Sequence, residues 1–561
     1  MQISQRQRTS LSAIMVYTLV LLVSTILTVR AASNGKLTGG PRGVVVGERG
    51  DPIEGVGVQL ISSRNAIRTT VYTDEDGRYE FPVLDAGAYT LRVPRPMEFK
   101  PFVKEGVQIQ GGTKLEDITL SHVSQTEFLP PTPDIQAQLT GVEWMMNLEG
   151  TGEEKRVFTV SCGFGCHSYQ QIFRNKYDER SWKLIYQRMI RSGSSPLIRD
   201  TTPTATTLDR AGRNMLADED FMAKWLARVR GPESKDAPLH YLPRERGRAN
   251  RVVVTEYELP RELLAPHDVH GDSMGNIWYT AHRSAYAGVL DPRTGEVTEY
   301  RIPEKEKDTP GALPGTHRVF VDQHDLVWFW EGWDNYLTAL DARTRKIVRR
   351  FARGDESTLN SPGGEGGPNF AMDAAGFIYQ TLRGAVIKTD PKTGQIIQKF
   401  PLKKIQGTYD STVTPDGRYW AGGLGYLDMK TGESWEPEVA PELVIPARGG
   451  FDRDNNAWFG GRGGVLLKHD GKTHRIHEYF APIPYETFYE AMPDKNGDVW
   501  AGGLQSGRLW RFNPKQQAWT GYVMPEPYAH DRRTWIDNST DPVTVWFVDH
   551  NGYMVRVQPL D

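Results

Sequence analysis

The sequence predicts a mainly β, multidomain chain whose residues 252–561 close into a seven-bladed β-propeller. Three observations carry that fold class. First, an Asp, a tight turn and an aromatic residue recur at a period of roughly 40–50 residues, which suits propeller blades. The copies run Asp272 to Trp278, Asp322 to Trp328, Asp373 to Tyr379, Asp416 to Trp420, Asp452 to Trp458 and Asp494 to Trp500, with a looser one ending at Trp546. Second, an Asp-Xaa-Xaa-Thr-Gly turn follows at Asp291, Asp390 and Asp428. Third, the string Val297-Thr-Glu-Tyr-Arg-Ile-Pro303 has relatives at Ile476–Pro482 and Trp519–Pro525, and one orphan before the first full copy, at Val254–Pro260.

Asp and Gly accept the backbone angles of tight turns, and the β-branched and aromatic residues around them favour strands. One blade cannot cover its own apolar face, so neighbours must stack. The orphan string is expected to be the outer strand of the last blade, supplied from the start of the domain, which closes the ring without an open edge. The outer strands of the second and fourth copies are expected to be weak.

The 561 residues allow several domains. Their 38% hydrophobic and 24% charged content fits folded domains rather than disorder. A net charge of −3 gives no reason to expect nucleic acid as partner. Two cysteines are too few for a disulfide framework.

Residues 1–32 read as an export signal. Arg6 and Arg8 are followed by a mostly apolar run from Ser12 to Val29 and the small-residue pattern Val29-Arg30-Ala31. The other reading is a retained membrane anchor, for which the run is short. Either way a periplasmic or secreted location is expected, with membrane contact only through an uncleaved signal. Residues 33–122 alternate like a small β-sandwich, with Val56-Gly-Val58-Gln-Leu60, Thr73-Asp-Glu-Asp-Gly77-Arg-Tyr79 and Ala86-Gly-Ala-Tyr89-Thr-Leu91 as its clearest strands and turns. The Gly-Xaa-Pro-Xaa-Xaa-Gly-Val string ending at Val56 and these turns resemble the carboxypeptidase regulatory-like, transthyretin-like domain. That resemblance implies a spacer or adhesion module. Residues 123–140 hold the stiff linker Leu129-Pro-Pro-Thr-Pro-Asp134.

Residues 141–235 turn helical around Ser161-Cys162-Gly-Phe-Gly-Cys166-His167-Ser168. Two thiols able to reach two vinyl groups, with an imidazole beside the second, are what covalent haem attachment needs. The usual spacing has two residues between the cysteines, and here there are three. Trp182, Ile185 and Met189 share one helical face. The run from Ser181 to Met189, and the later helix from Asp218 to Val229, resemble elements of small c-type cytochrome domains. The expectation is haem c held by Cys162, Cys166 and His167, with Met189 as sixth ligand and Met215 or Met222 as alternatives. A local disulfide is the competing reading. Zinc is disfavoured because three nearby ligands fall short of four. Residues 236–251 read as a solvated basic linker, with a patch for an acidic partner as the other reading.

Pro266-His267-Asp268-Val, Gly275-Asn-Ile-Trp278 and Leu290–Pro303 resemble blades of the streptogramin (virginiamycin B) lyase family. The resemblance implies a propeller that opens a cyclic ester by elimination with a divalent metal such as Mg. Inner strands point their first residues toward the channel mouth. This places His267, His317, Asn369, Asp410, Arg448, Glu490 and Arg533 in one polar ring. His267, His317 and Glu490 are the candidate catalytic residues, with His270 and Asp268 nearby. Asp410, Arg448 and Arg533 are candidates for binding a small-molecule or anionic substrate. The family's base and metal residues fall in late blades, where of Arg448, Glu490 and Arg533 only Glu490 resembles a metal ligand, His530 sits in a nearby loop, and base and electrophile are not assembled together.

Three functions follow from these residues. One is a periplasmic oxidoreductase that couples haem electron transfer, with a redox partner protein, to binding or oxidation of a small molecule. The second is a lyase with a structural cysteine pair. The third is a non-catalytic module for carbohydrate or protein.

Overall fold

The computed structural model describes residues 36–123, 129–162, 168–192, 218–261, 266–281, 284–303, 315–331, 336–352, 370–382, 385–402, 411–421, 425–436, 444–526, 531–549 and 552–561. The export signal expected at 1–32 lies outside them. No described helix is long and apolar enough to cross a membrane.

The repeated Asp is the hub of its own turn. Asp272 Oδ1 accepts the backbone N–H groups of Met274 and Asn276, and its Oδ2 accepts the Trp278 indole N–H at 3.0 Å. The same three bonds join Asp322 to His324, Leu326 and Trp328, and Asp452 to Asp454, Asn456 and Trp458. Asp494 repeats them with Asn496, Asp498 and Trp500, and at Asp373 the Tyr379 hydroxyl replaces the indole. The spacing of six in the sequence is therefore a hydrogen-bond distance: a carboxylate closes the hairpin and satisfies the buried aromatic beyond it.

The fourth copy departs from this. Thr414, and not Asp416, stands six residues before Trp420 and accepts the Arg418 N–H at 3.3 Å. Trp420 is fully buried and its indole nitrogen has no hydrogen-bond partner among the described residues. We expect Thr414→Asp, combined with Asp416→Asn to remove the adjacent charge, to raise the unfolding free energy by about 1 kcal/mol. Urea denaturation measures this, and an unchanged or lower midpoint would count against the role given to the carboxylate. The second turn has a similar substitution. Gly295, Gly394 and Gly432 hold left-handed angles of +78°, +75° and +77°, while Arg345 and His474 hold +60° and +59° at the same position. A side chain there obscures the turn in the sequence.

These turns build four-stranded antiparallel meanders. The first is Pro266–Gly271, Ile277–Ala281, Tyr286–Asp291 and Glu296–Arg301. Later meanders start on the strands Thr316–Val321, Ala371–Met372, Ser411–Val413, Val444–Phe451, Glu490–Pro493 and Asp531–Asp537. The first strand of each lies innermost, and Pro266–Gly271 packs between Thr316–Val321 and Asp531–Asp537, so last meets first. The orphan string forms the strand Val252–Glu258, which pairs antiparallel with Tyr553–Pro559 as the outer strand of the last meander. In the second copy the outer strand is a full seven residues, Lys346–Ala352, against expectation; in the fourth it is only Ser434–Trp435. Lys346, Arg349 and Arg350 break the apolar alternation of Lys346–Ala352 and hid its strand character.

The N-terminal module is a sandwich. One sheet orders Arg78–Glu80, Arg42–Gly47 and Ile118–Leu120; the other orders Arg68–Tyr72, Gly57–Ser62, Gly87–Arg92 and Val103–Ile109. Val45, Val58, Leu60, Tyr79, Leu91 and Ile118 fill the space between them. This second sheet does not stop at the module's edge. Arg68, Thr69 and Thr70 pair with Glu256, Thr255 and Val254 of the closing strand, so sandwich and last blade share one eight-stranded sheet. Across the seam Gln59 donates to Glu256 at 3.0 Å, and Arg68 and Arg92 both reach Glu526.

The helices of the middle module enclose an aromatic core of Trp144, Phe158, Tyr169, Phe173, Trp182 and Trp225. Thr140 and Glu143 form a reciprocal cap on Gly141–Asn147. Trp182 donates to the Arg230 carbonyl at 3.0 Å, tying Glu179–Ser192 to Glu219–Arg230. The module docks on the propeller through Gln505, whose side-chain oxygen accepts the Tyr169 N–H at 2.8 Å and whose carbonyl accepts the Val142 N–H at 2.9 Å. The basic segment 236–251 makes contacts within the chain: Arg244 pairs with Glu98, Arg246 with Glu54, and Arg248 with Asp561.

Candidate functional site

The innermost strands bring His267, Asp268, His317 and Arg533 together. All four are buried. His267 Nδ1 lies 2.5 Å from Asp268 Oδ1, and its Nε2 lies 3.1 Å from the Tyr489 hydroxyl. The His267 and His317 rings are 4.1 Å apart between centroids. Asp268 Oδ2 faces the Val319 N–H at 3.3 Å and the Arg533 guanidinium at 3.5 Å. Among the described residues, His267, Asp268 and His317 form a group whose donor atoms lie within 4.8 Å of one another. A carboxylate that orients one imidazole while an arginine and a backbone N–H fix the carboxylate is a preorganised arrangement for proton transfer or ligation.

The other ring positions fare differently. Glu490 is fully buried, and one carboxylate oxygen accepts both the N–H and the hydroxyl of Thr534. It thus joins two neighbouring inner strands. Arg448 pairs in backbone register with Glu490, placing it on the same rim. Asn369 and Asp410 lie outside the described residues. His270 points into an aromatic slot between Phe320 and Trp535, and burial pushes its imidazole down to about 4, which keeps it neutral. Tyr489 and Thr534 were not legible as site residues. Their only signal is adjacency to Glu490 and Arg533 in the chain.

Cys162 ends the helix Gly152–Cys162, half-buried against the aromatic core. Its sulfur sits among apolar groups, and burial pushes the thiol up to about 12 against the opposing pull of Arg462. Cys166, His167 and Met215 lie outside the described residues. Met189 is half-buried on the helix Glu179–Ser192, whose Trp182 and Ile185 enter the core, while Met222 is wholly buried within it. Arg462 bridges to Thr487 across a short backbone ladder and is itself buried. Glu486 accepts the N–H groups of Thr487 and Gln505 and the Trp510 indole, and burial raises its carboxyl. The segment 485–490 has the helical module at one end, where Tyr485 packs against the aromatic core beneath Lys155, and His267 at the other, beside Tyr489.

Residues 42–121 match the family model of the carboxypeptidase regulatory-like domain. No curated protein matches the chain in sequence. Similar solved structures include a catalytically inactive virginiamycin B lyase from Staphylococcus aureus with quinupristin, at 16% identity and a TM-score of 0.46 over 55% of this chain and 100% of that one. A streptogramin B lyase gives 18% and 0.46 over 56% of this chain and 99% of that one. The extracellular domain of a one-component system from B. thetaiotaomicron gives 14% and 0.40 over 54% and 40%.

Proposed function

We propose that this is an exported redox protein: a closed seven-bladed ring binds a small, anionic molecule at its mouth, and the helical module beside it carries haem c. Cys162 and Cys166 would hold the haem covalently, with His167 and Met189 on the iron. Haem bound there supplies one-electron transfer. The surroundings of Cys162 suit it, because a neutral thioether sulfur fits an apolar site in which a thiolate is disfavoured. The same argument speaks against a zinc thiolate.

One observation carries the reading. The propeller segment 485–490 touches the helical module at Tyr485, whose ring packs against the aromatic core with the Lys155 ammonium 5.6 Å above it, and it reaches the mouth at Tyr489, so module and mouth are neighbours rather than beads on a string. At the mouth, Arg533 offers positive charge to an anion, and His267, oriented by Asp268, is placed to accept a proton. Glu490 contributes by fixing Thr534 rather than as a base. A lyase reading finds no comparable support, since the late-blade positions Arg448, Glu490 and Arg533 supply no histidine base.

The test is the visible spectrum of the full chain, purified from a host able to attach haem. A Soret band that survives denaturation is expected, and Cys166→Ala should abolish its resistance to extraction. A colourless protein, or one whose two sulfurs are bonded to each other, overturns the proposal.

A further inference from the structure

The geometry points to a mononuclear site for a divalent first-row transition ion at the mouth, held by His267, Asp268 and His317. Their donor atoms lie within 4.8 Å of one another, on two adjacent inner strands whose positions are fixed by the sheet ladders on either side. Two imidazole nitrogens and one carboxylate oxygen form a donor set that suits zinc, iron(II), cobalt or manganese. Magnesium and calcium prefer oxygen alone. A three-ligand set leaves coordination positions open for water or an anionic ligand.

The surroundings are arranged as an outer shell. His267 Nδ1 and Asp268 Oδ1 converge at 2.5 Å, while the far nitrogen of the same ring meets the Tyr489 hydroxyl at 3.1 Å. That contact fixes the ring's orientation with Nδ1 turned toward the site. The far oxygen of Asp268 is held by the Val319 N–H and the Arg533 guanidinium, which leaves Oδ1 on the ligand side. Arg318 and Arg533 are both buried, and Arg533 is balanced in part by Asp268. Together with a bound cation they favour a ligand carrying an oxyanion, such as a carboxylate or phosphate, in the open positions. Tyr489 is thus a positioning residue, and the three ligands are the binding set.

This deepens the reading of the mouth as a binding site, with His267 a ligand rather than a base when the ion is bound, and it does not depend on haem. Zinc is the probe, offered to the full chain after alkylation of any free thiols, so that the cysteine segment cannot report. Equilibrium dialysis should retain one zinc per chain, and zinc should raise the melting temperature. His317→Ala should weaken zinc at least 100-fold, and Tyr489→Phe by about 10-fold or more, since it removes only the outer-shell contact. His317→Gln serves if the alanine variant does not fold. Failure of the wild-type chain to retain zinc, cobalt or manganese would falsify the site, as would zinc binding unchanged in both His317 variants. A colourless protein that binds zinc through His317 sinks the haem proposal and leaves this one standing. A haem-loaded protein that binds no metal at the mouth does the reverse.

Discussion

Asp494→Ala is expected to lower the unfolding free energy by about 3 kcal/mol, because the change strips partners from three donors at once. The carboxylate accepts from Asn496 N–H at 2.7 Å, Asp498 N–H at 3.1 Å and the Trp500 indole at 2.9 Å, in a residue only 5% exposed. Trp500 is fully buried, so no water replaces the lost acceptor. The fourth copy supplies the control. Trp420 already lacks an acceptor among the described residues, so Thr414→Ala should cost about 1 kcal/mol or less. Denaturant midpoints of the two variants decide the matter. Equal losses would mean that the carboxylate-to-aromatic bond adds nothing beyond the turn itself.

A second large effect is a loss of stability as pH rises from about 4.5 to about 8. Glu256 sits at the seam between sandwich and ring, and burial pushes its carboxyl up to about 8. Glu526 and Asp549 push the same way, while Arg68 and Arg92 oppose them. The folded chain therefore keeps a proton that the unfolded chain releases near its ordinary value. Folding takes up a proton across that window, and stability is full below it and falls as pH climbs through it. Glu256→Gln keeps an oxygen facing the Gln59 amide and removes the titration. It should flatten the profile and stabilise the protein at pH 8 by up to roughly 4 kcal/mol. Melts at pH 5.5 and pH 8.5 on both proteins test this, and a pH profile identical in the two would exclude Glu256 as its source.

Much of the ring was legible because its chemistry is local. An Asp that reaches two, four and six residues ahead leaves its mark within seven positions of sequence, and the closing strand at Val254–Pro260 carries the same string as its counterparts. Where one residue changes role, the pattern misleads: Asp416 looks like the hub, yet Thr414 occupies that place. His267 and His317 were legible as inner-strand residues, but their approach to 4.1 Å was not, since it depends on how two strands some fifty residues apart stack. Tyr489 lay further out of reach, meeting His267 across 222 residues. The docking role of Gln505 was equally hidden, because a single glutamine in a loop carries no periodicity. The pairing of Arg68–Thr70 with Val254–Glu256 also left no trace, since a strand's free edge shows nothing of its eventual neighbour.

That shared ladder bears on how the protein can be taken apart. A truncated chain beginning at Arg251 would keep its ring, but Val254-Thr-Glu256 would then lie along a bare margin of unmatched N–H and C=O groups. Such a margin is an adhesive template for other chains. The sandwich thus acts as a lid over a sticky seam, and a ring freed of it should clump where the intact molecule stays dispersed.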